Sequence, residues 1–132
     1  MSRLFLAAGA VLGGLAVAAG AFGAHGLRAV LESHGQAGNW ETASRYALCH
    51  ALAVVAVGTL ALIRPAVSLA AAGWCFLAGT VIFSGCLFAL ALSGLKPLGA
   101  VVPVGGLLLI AGWALLAVAG WRAAGEHPTG RG

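Results

Sequence analysis

The sequence predicts an all-α fold: a four-transmembrane-helix bundle with a short interfacial amphipathic helix between the first and second spans. Three observations carry this expectation. Of 132 residues, 61% are hydrophobic and 8% charged, against about 25% charged in an ordinary soluble domain. A soluble surface could not be covered by seven Lys or Arg and three acidic residues, Glu32, Glu41 and Glu126. The apolar residues are gathered into four long runs, and none of these has an Asp, Glu, Lys or Arg in its middle.

The runs are taken in order. They cover about residues 4–24, 46–63, 68–92 and 101–121. Crossing about 30 Å of hydrocarbon takes about 20 helical residues; tilt absorbs the shortness of the second run and the excess of the third. A helix satisfies its own backbone groups, so it is the form such runs take in lipid. The first run has a basic start and Ala19-Gly20-Ala21, as a signal peptide would. It is longer than a signal core of about 7–15 residues and is therefore read as a retained span. In Gly26–Gly35, Leu27, Val30 and Leu31 share one face, Arg28 and Glu32 another, and His34-Gly35 offers a stop. This short helix is expected in the interface plane. Asn39 is the expected cap of the second long helix, which would begin near Trp40, ahead of the bilayer proper. Arg64-Pro65 makes a tight second connection, and Lys96 lies in the third. Pro103 is expected in the first turn of the fourth helix, where its missing N–H is tolerated. Residues 1–121 are thus one domain, and 122–132 a polar tail expected to be disordered.

Packing in lipid relies on small residues that let helices approach. The candidates are Gly9, Gly13, Gly20 and Gly23 in the first span, Ser84 and Gly85 in the third, and Gly105, Gly106 and Gly112 in the fourth. Cys49, Cys75 and Cys86 match no zinc spacing and are read as small buried apolar residues. Basic residues are scattered singly, so the charge of +4 does not make a nucleic-acid footprint. Arg3, Arg64, Arg122 and Arg131 on one side outnumber Arg28, Arg45 and Lys96 on the other, which favours cytoplasmic termini.

The chemically richest stretch is Glu41–His50, ETASRYALCH. Glu41 and Arg45 stand four apart, a candidate interfacial ion pair. Thr42, Tyr46 and His50 follow one another at the same interval and are expected to turn toward the end of the first helix, where His25 lies. Three readings of His25, Thr42, Tyr46 and His50 stand open: polar residues that fix the bend into the membrane, a rim site for a small molecule, lipid headgroup or quinone-like ligand, or a pair of imidazoles on haem or another metal. An ionisable group within a span is by default a candidate functional site.

Four stretches, GAFGAHGL (20–27), WETASRYALCHALA (40–53), AGTVIFSGCLFALALSG (78–94) and VPVGGLLLIAGWALLA (102–117), resemble in order and spacing the domain of unknown function 423 family. These are small bacterial inner-membrane proteins related to the eukaryotic transmembrane protein 256 family. Cys49 stands where that family often has an aromatic residue, and Cys86 where a small hydroxyl is common. The resemblance implies a four-helix integral membrane protein and supplies no activity.

The functional expectation is a structural, accessory or partner-binding membrane component, multi-pass in the cell inner membrane. It is not expected to be an enzyme or to carry a cofactor or metal. Its expected partners are the lipid bilayer and other membrane proteins or a second copy, not nucleic acid. The alternative is a ligand-, lipid- or cofactor-binding protein using His25, Tyr46 and His50. A small-solute transporter is less favoured, because no span holds a carboxylate for proton coupling. No Ser/His/Asp set or phosphate-binding glycine loop suggests catalysis.

Overall fold

A computed structural model describes residues 1–125. It is all-helical: α1 (Ser2–Ala24), α2 (Arg28–Ser33), α3 (Ala37–Ile63), α4 (Val67–Ser93) and α5 (Pro97–Gly125). Four of these, all but α2, are long and apolar enough to cross a membrane. The helices are apolar on nearly every side. The side chains left exposed, such as Val11, Leu52, Val81 and Ile110, are those a bilayer would cover.

Packing runs α1 on α3, α3 on α4, and α4 on α5. Glycines set the approach. A Cβ built at Gly9 would lie 2.7 Å from Val55 Cγ2 and 2.9 Å from the Ala51 carbonyl oxygen; one at Gly13 would lie 3.6 Å from Ala51 Cβ. Further along, Gly20 faces Ser44, and Gly23 lies so close to the Trp40 ring that a side chain there would overlap it. Across α4 and α5, a Cβ at Gly105 would meet the Phe83 backbone nitrogen at 2.5 Å, and one at Gly112 the Phe76 ring at 2.7 Å. Gly106 makes ordinary contact with the Phe83 ring. Gly85 departs from expectation: it is exposed with nothing near it, so it packs against no helix of this chain. Gly58, Gly73 and Gly79 receive Leu6, Phe5 and Leu109 instead. The main core collects Phe5, Val54, Val57, Phe76 and Leu109.

Several boundaries differ from the sequence reading. Helix α3 starts at Ala37 with Gln36 as its cap residue, and Asn39 lies inside the first turn, its Nδ2 donating to Gln36 Oε1 at 2.7 Å. Gly38 and Asn39 are weak helix formers, which hid this turn. Helix α5 starts at Pro97, so Pro103 is interior to it rather than in its first turn. Proline suits a first helical position because that N–H is unpaired anyway, and Pro97 takes the role expected of Pro103. Residues 122–125 continue α5 rather than beginning a tail; the rest of the predicted tail, with Glu126, lies outside the described residues. Helix α2 ends at Ser33, and the chain turns away at Gly35, whose φ of 64° favours glycine. Its Leu31 is buried with Trp40 and Ala91, while Val30 is exposed. Helix α2 therefore closes one end of the bundle.

Candidate functional site

The structure separates the two histidines grouped by the sequence reading. Helices α1 and α3 are antiparallel, with Gly20 opposite Ser44 and Gly13 near Ala51. That register sets His25 level with the start of α3, about 16 Å along the axis from His50 at 1.5 Å per residue. His25 is exposed at the end of α1. The face of α3 that meets α1 carries Trp40, Ser44 and Ala51. Tyr46 and His50 point elsewhere, toward α4 and α5. Thr42 is half-buried. The expected turn of Tyr46 and His50 toward α1 is thus corrected: small residues and one indole occupy that seam, because close helix approach leaves no room for a Tyr or His ring.

His50 lies in a polar and aromatic cluster inside the bundle. It is 6% exposed. Its Nδ1 is 2.8 Å from the Tyr46 carbonyl oxygen, one turn back on α3. Trp113 of α5 donates its indole N–H to His50 Nε2 at 3.2 Å. An indole only donates, so Nε2 is the accepting nitrogen. Nδ1 then carries the proton and donates to Tyr46, and both imidazole nitrogens are committed in the neutral ring. The Tyr46 ring stacks on Phe83 at 4.6 Å and on His50 at 5.8 Å. Phe76 stands 5.8 Å from the His50 ring and 5.1 Å from that of Trp113. The cluster ties α3, α4 and α5 together at mid-bundle. Trp113, Phe76 and Phe83 were absent from the sequence reading. The available signal was chemical: a lone indole N–H deep in an apolar span needs an acceptor, and His50 is the one imidazole within the spans.

A second buried polar link lies nearer the rim. Trp40 Nε1 donates to the Ala19 carbonyl oxygen at 2.8 Å, and its ring meets Phe88 edge-on at 4.6 Å. Thr80 and Ser44 are buried but bond back to the Phe76 and Trp40 carbonyls of their own helices. Ser84 is 2% exposed, and its hydroxyl finds no partner among the described residues, on its own helix or a neighbouring one. Cys49 is exposed and Cys75 and Cys86 are half-buried, so Cys49 is not the buried residue expected. Among the described residues no group of three metal-ligating side chains converges.

The rim itself is charged. Glu41 and Arg45 form an exposed ion pair, and Arg28 pairs with Glu32 at 2.8 Å. The hydrogen bond with Glu32, and then its charge, push the Arg28 pKa up. A groove of about 300 Å³ opens here, lined by Gly23, Arg28, Glu32, Trp40, Glu41 and Ser44 among others. His25, Thr42, Tyr46 and His50 are not in its lining.

Comparison with known proteins decides the family. The family model described as "Protein of unknown function (DUF423)" matches residues 19–106. The chain belongs to that family. Relatives named UPF0382 membrane proteins cover nearly the whole of it. The UPF0382 membrane protein SAB0533 of Staphylococcus aureus (strain bovine RF122 / ET3-1) is 39% identical over 93% of this chain and 99% of its own length. UPF0382 membrane proteins of Staphylococcus haemolyticus and Staphylococcus epidermidis are likewise 39% identical, each over 93% of this chain and 99% of the relative. No solved structure matches. With four spanning helices and relatives named membrane proteins, the chain is an integral, multi-pass membrane protein.

Proposed function

We propose that this protein is a structural or accessory component of the cell inner membrane, with both termini cytoplasmic, which works by association with other membrane proteins or with copies of itself and performs no catalysis. The observation that carries this reading is the closure of His50. The imidazole buried among the spans spends one nitrogen on Tyr46 and the other on Trp113. A ligand to haem or a metal needs a free nitrogen aimed at the ion, and a proton carrier needs one that exchanges. The second histidine such a centre would use, His25, stands exposed at the far rim. The His50–Trp113 and Trp40–Ala19 bonds instead hold α3 in register with α5 and α1.

Purification in mild detergent with native lipid tests the reading. A stoichiometric membrane-protein complex or a defined homo-oligomer is expected, unchanged in composition by His25→Ala. A stoichiometric chromophore or metal that disappears with His50→Ala while the bundle stays folded would refute it. Orientation is checked by labelling single cysteines at Ser2 and Ser33 from either side of the membrane in a background with the native cysteines removed. Protection of Ser2Cys with labelling of Ser33Cys from outside is the expected pattern.

A further inference from the structure

At the rim opposite to α2, a groove of about 510 Å³ opens where the end of α3, the start of α4 and the end of α5 meet. Its walls are chemically divided. Leu60, Ile63, Leu69 and Leu116 make an apolar wall that runs toward the membrane interior, and Arg64 and Arg122 stand at the mouth. Arg64 is held in place: its Nη1 donates to the Ala123 carbonyl oxygen at 3.0 Å, near the end of α5. Trp121, beside Arg122, is 84% exposed, as befits an indole at headgroup depth.

We propose that this groove is a binding site for one anionic phospholipid, its phosphate met by Arg122 at the mouth and an acyl chain laid along Leu60, Ile63, Leu69 and Leu116. Charge and depth both select that occupant. A guanidinium matches a phosphate diester in shape and charge, and the positive charge of Arg122 favours a headgroup of net negative charge over a zwitterionic one. The apolar wall continues the site into the region where acyl chains lie, which a soluble anion would leave empty. The turn Arg64-Pro65-Ala66 sets the mouth, because it brings α3 into α4 within three residues.

The test uses the full chain in neutral detergent, titrated with phosphatidylglycerol, phosphatidylcholine or inorganic phosphate and followed by its thermal midpoint and by bound lipid phosphorus. Phosphatidylglycerol is expected to raise the midpoint and to be retained, with phosphatidylcholine and phosphate having little effect. Arg122→Gln, at an exposed position, is expected to bind phosphatidylglycerol about fivefold more weakly, the factor one near-surface basic charge is worth. Lys96→Gln, at the opposite rim, is expected to bind it as the wild type does. Equal effects of phosphatidylglycerol and phosphatidylcholine, full reproduction of the effect by phosphate, or equal weakening by Lys96→Gln and Arg122→Gln would each overturn the proposal.

Discussion

Replacing Gly105 by alanine, with Gly106→Ala as its control, probes the contact between α4 and α5. A methyl at Gly105 meets backbone: Phe83 N at 2.5 Å, Phe83 Cα at 2.8 Å and the Gly79 carbonyl oxygen at 2.9 Å. Ordinary van der Waals contact begins near 3.4 Å. None of these atoms can rotate away, so the helices must part by close to an ångström. That loosens Leu109 against Gly79 as well. Overpacking of this kind costs about 1–3 kcal/mol, and obstruction by backbone puts the cost near the upper end. Alanine returns up to about 1 kcal/mol in helix propensity, leaving an expected net loss of about 2 kcal/mol. At Gly106 the nearest atoms belong to the Phe83 ring, at 3.7 and 3.8 Å. A methyl there fits, and the same propensity gain makes Gly106→Ala neutral or stabilising. Equilibrium denaturation in mixed micelles measures both variants. Equal stability of the two, or Gly106→Ala the weaker, would refute the α4–α5 register.

Other substitutions probe the remaining contacts. Trp113→Phe leaves His50 Nε2 buried without its donor, so it should destabilise by about 1–3 kcal/mol in the same denaturation assay. Ser84→Ala removes a buried hydroxyl that has no partner among the described residues and should be neutral or stabilising; a loss above about 1 kcal/mol would mean that the hydroxyl is bonded. Gly9→Leu should prevent α1 from seating on α3, whereas Gly14→Leu, with nothing within 4 Å, should leave the unfolding midpoint almost unchanged. Glu41→Gln breaks an ion pair that is exposed on both partners and should cost less than about 1 kcal/mol.

Hydropathy made the spans legible because lipid demands unbroken apolar helices, whatever their neighbours. The same uniformity hid the pairing. With apolar residues on nearly all faces, nothing in the sequence told α3 which side would meet α1, so the spacing of Tyr46 and His50 gave a shared face but the wrong neighbour. Gly9 and Gly23 were recognisable as small, yet their partners Val55 and Trp40 depend on helix register. Gly85 looked equivalent to them and faces outward, because one residue of rotation moves a side chain about 100° around a helix. The early start of α3 was hidden by Gly38 and Asn39, which weaken local propensity, while the tertiary placement of Trp40 fixes that turn. For His50, counting donors and acceptors among the spans would have found Trp113 where periodicity could not.

The central claim is that His50 is a closed, neutral link between α3 and α5. Nitrogen-resolved NMR of histidine-labelled protein in bicelles, in wild type and Trp113→Phe, tests it most directly. The account predicts a His50 ring protonated at Nδ1 alone, unmoved by added zinc or haem, with the Nε2 signal changed by loss of the indole donor. A ring protonated at Nε2, or one that shifts stoichiometrically when metal or haem is added to the folded wild type, would contradict it.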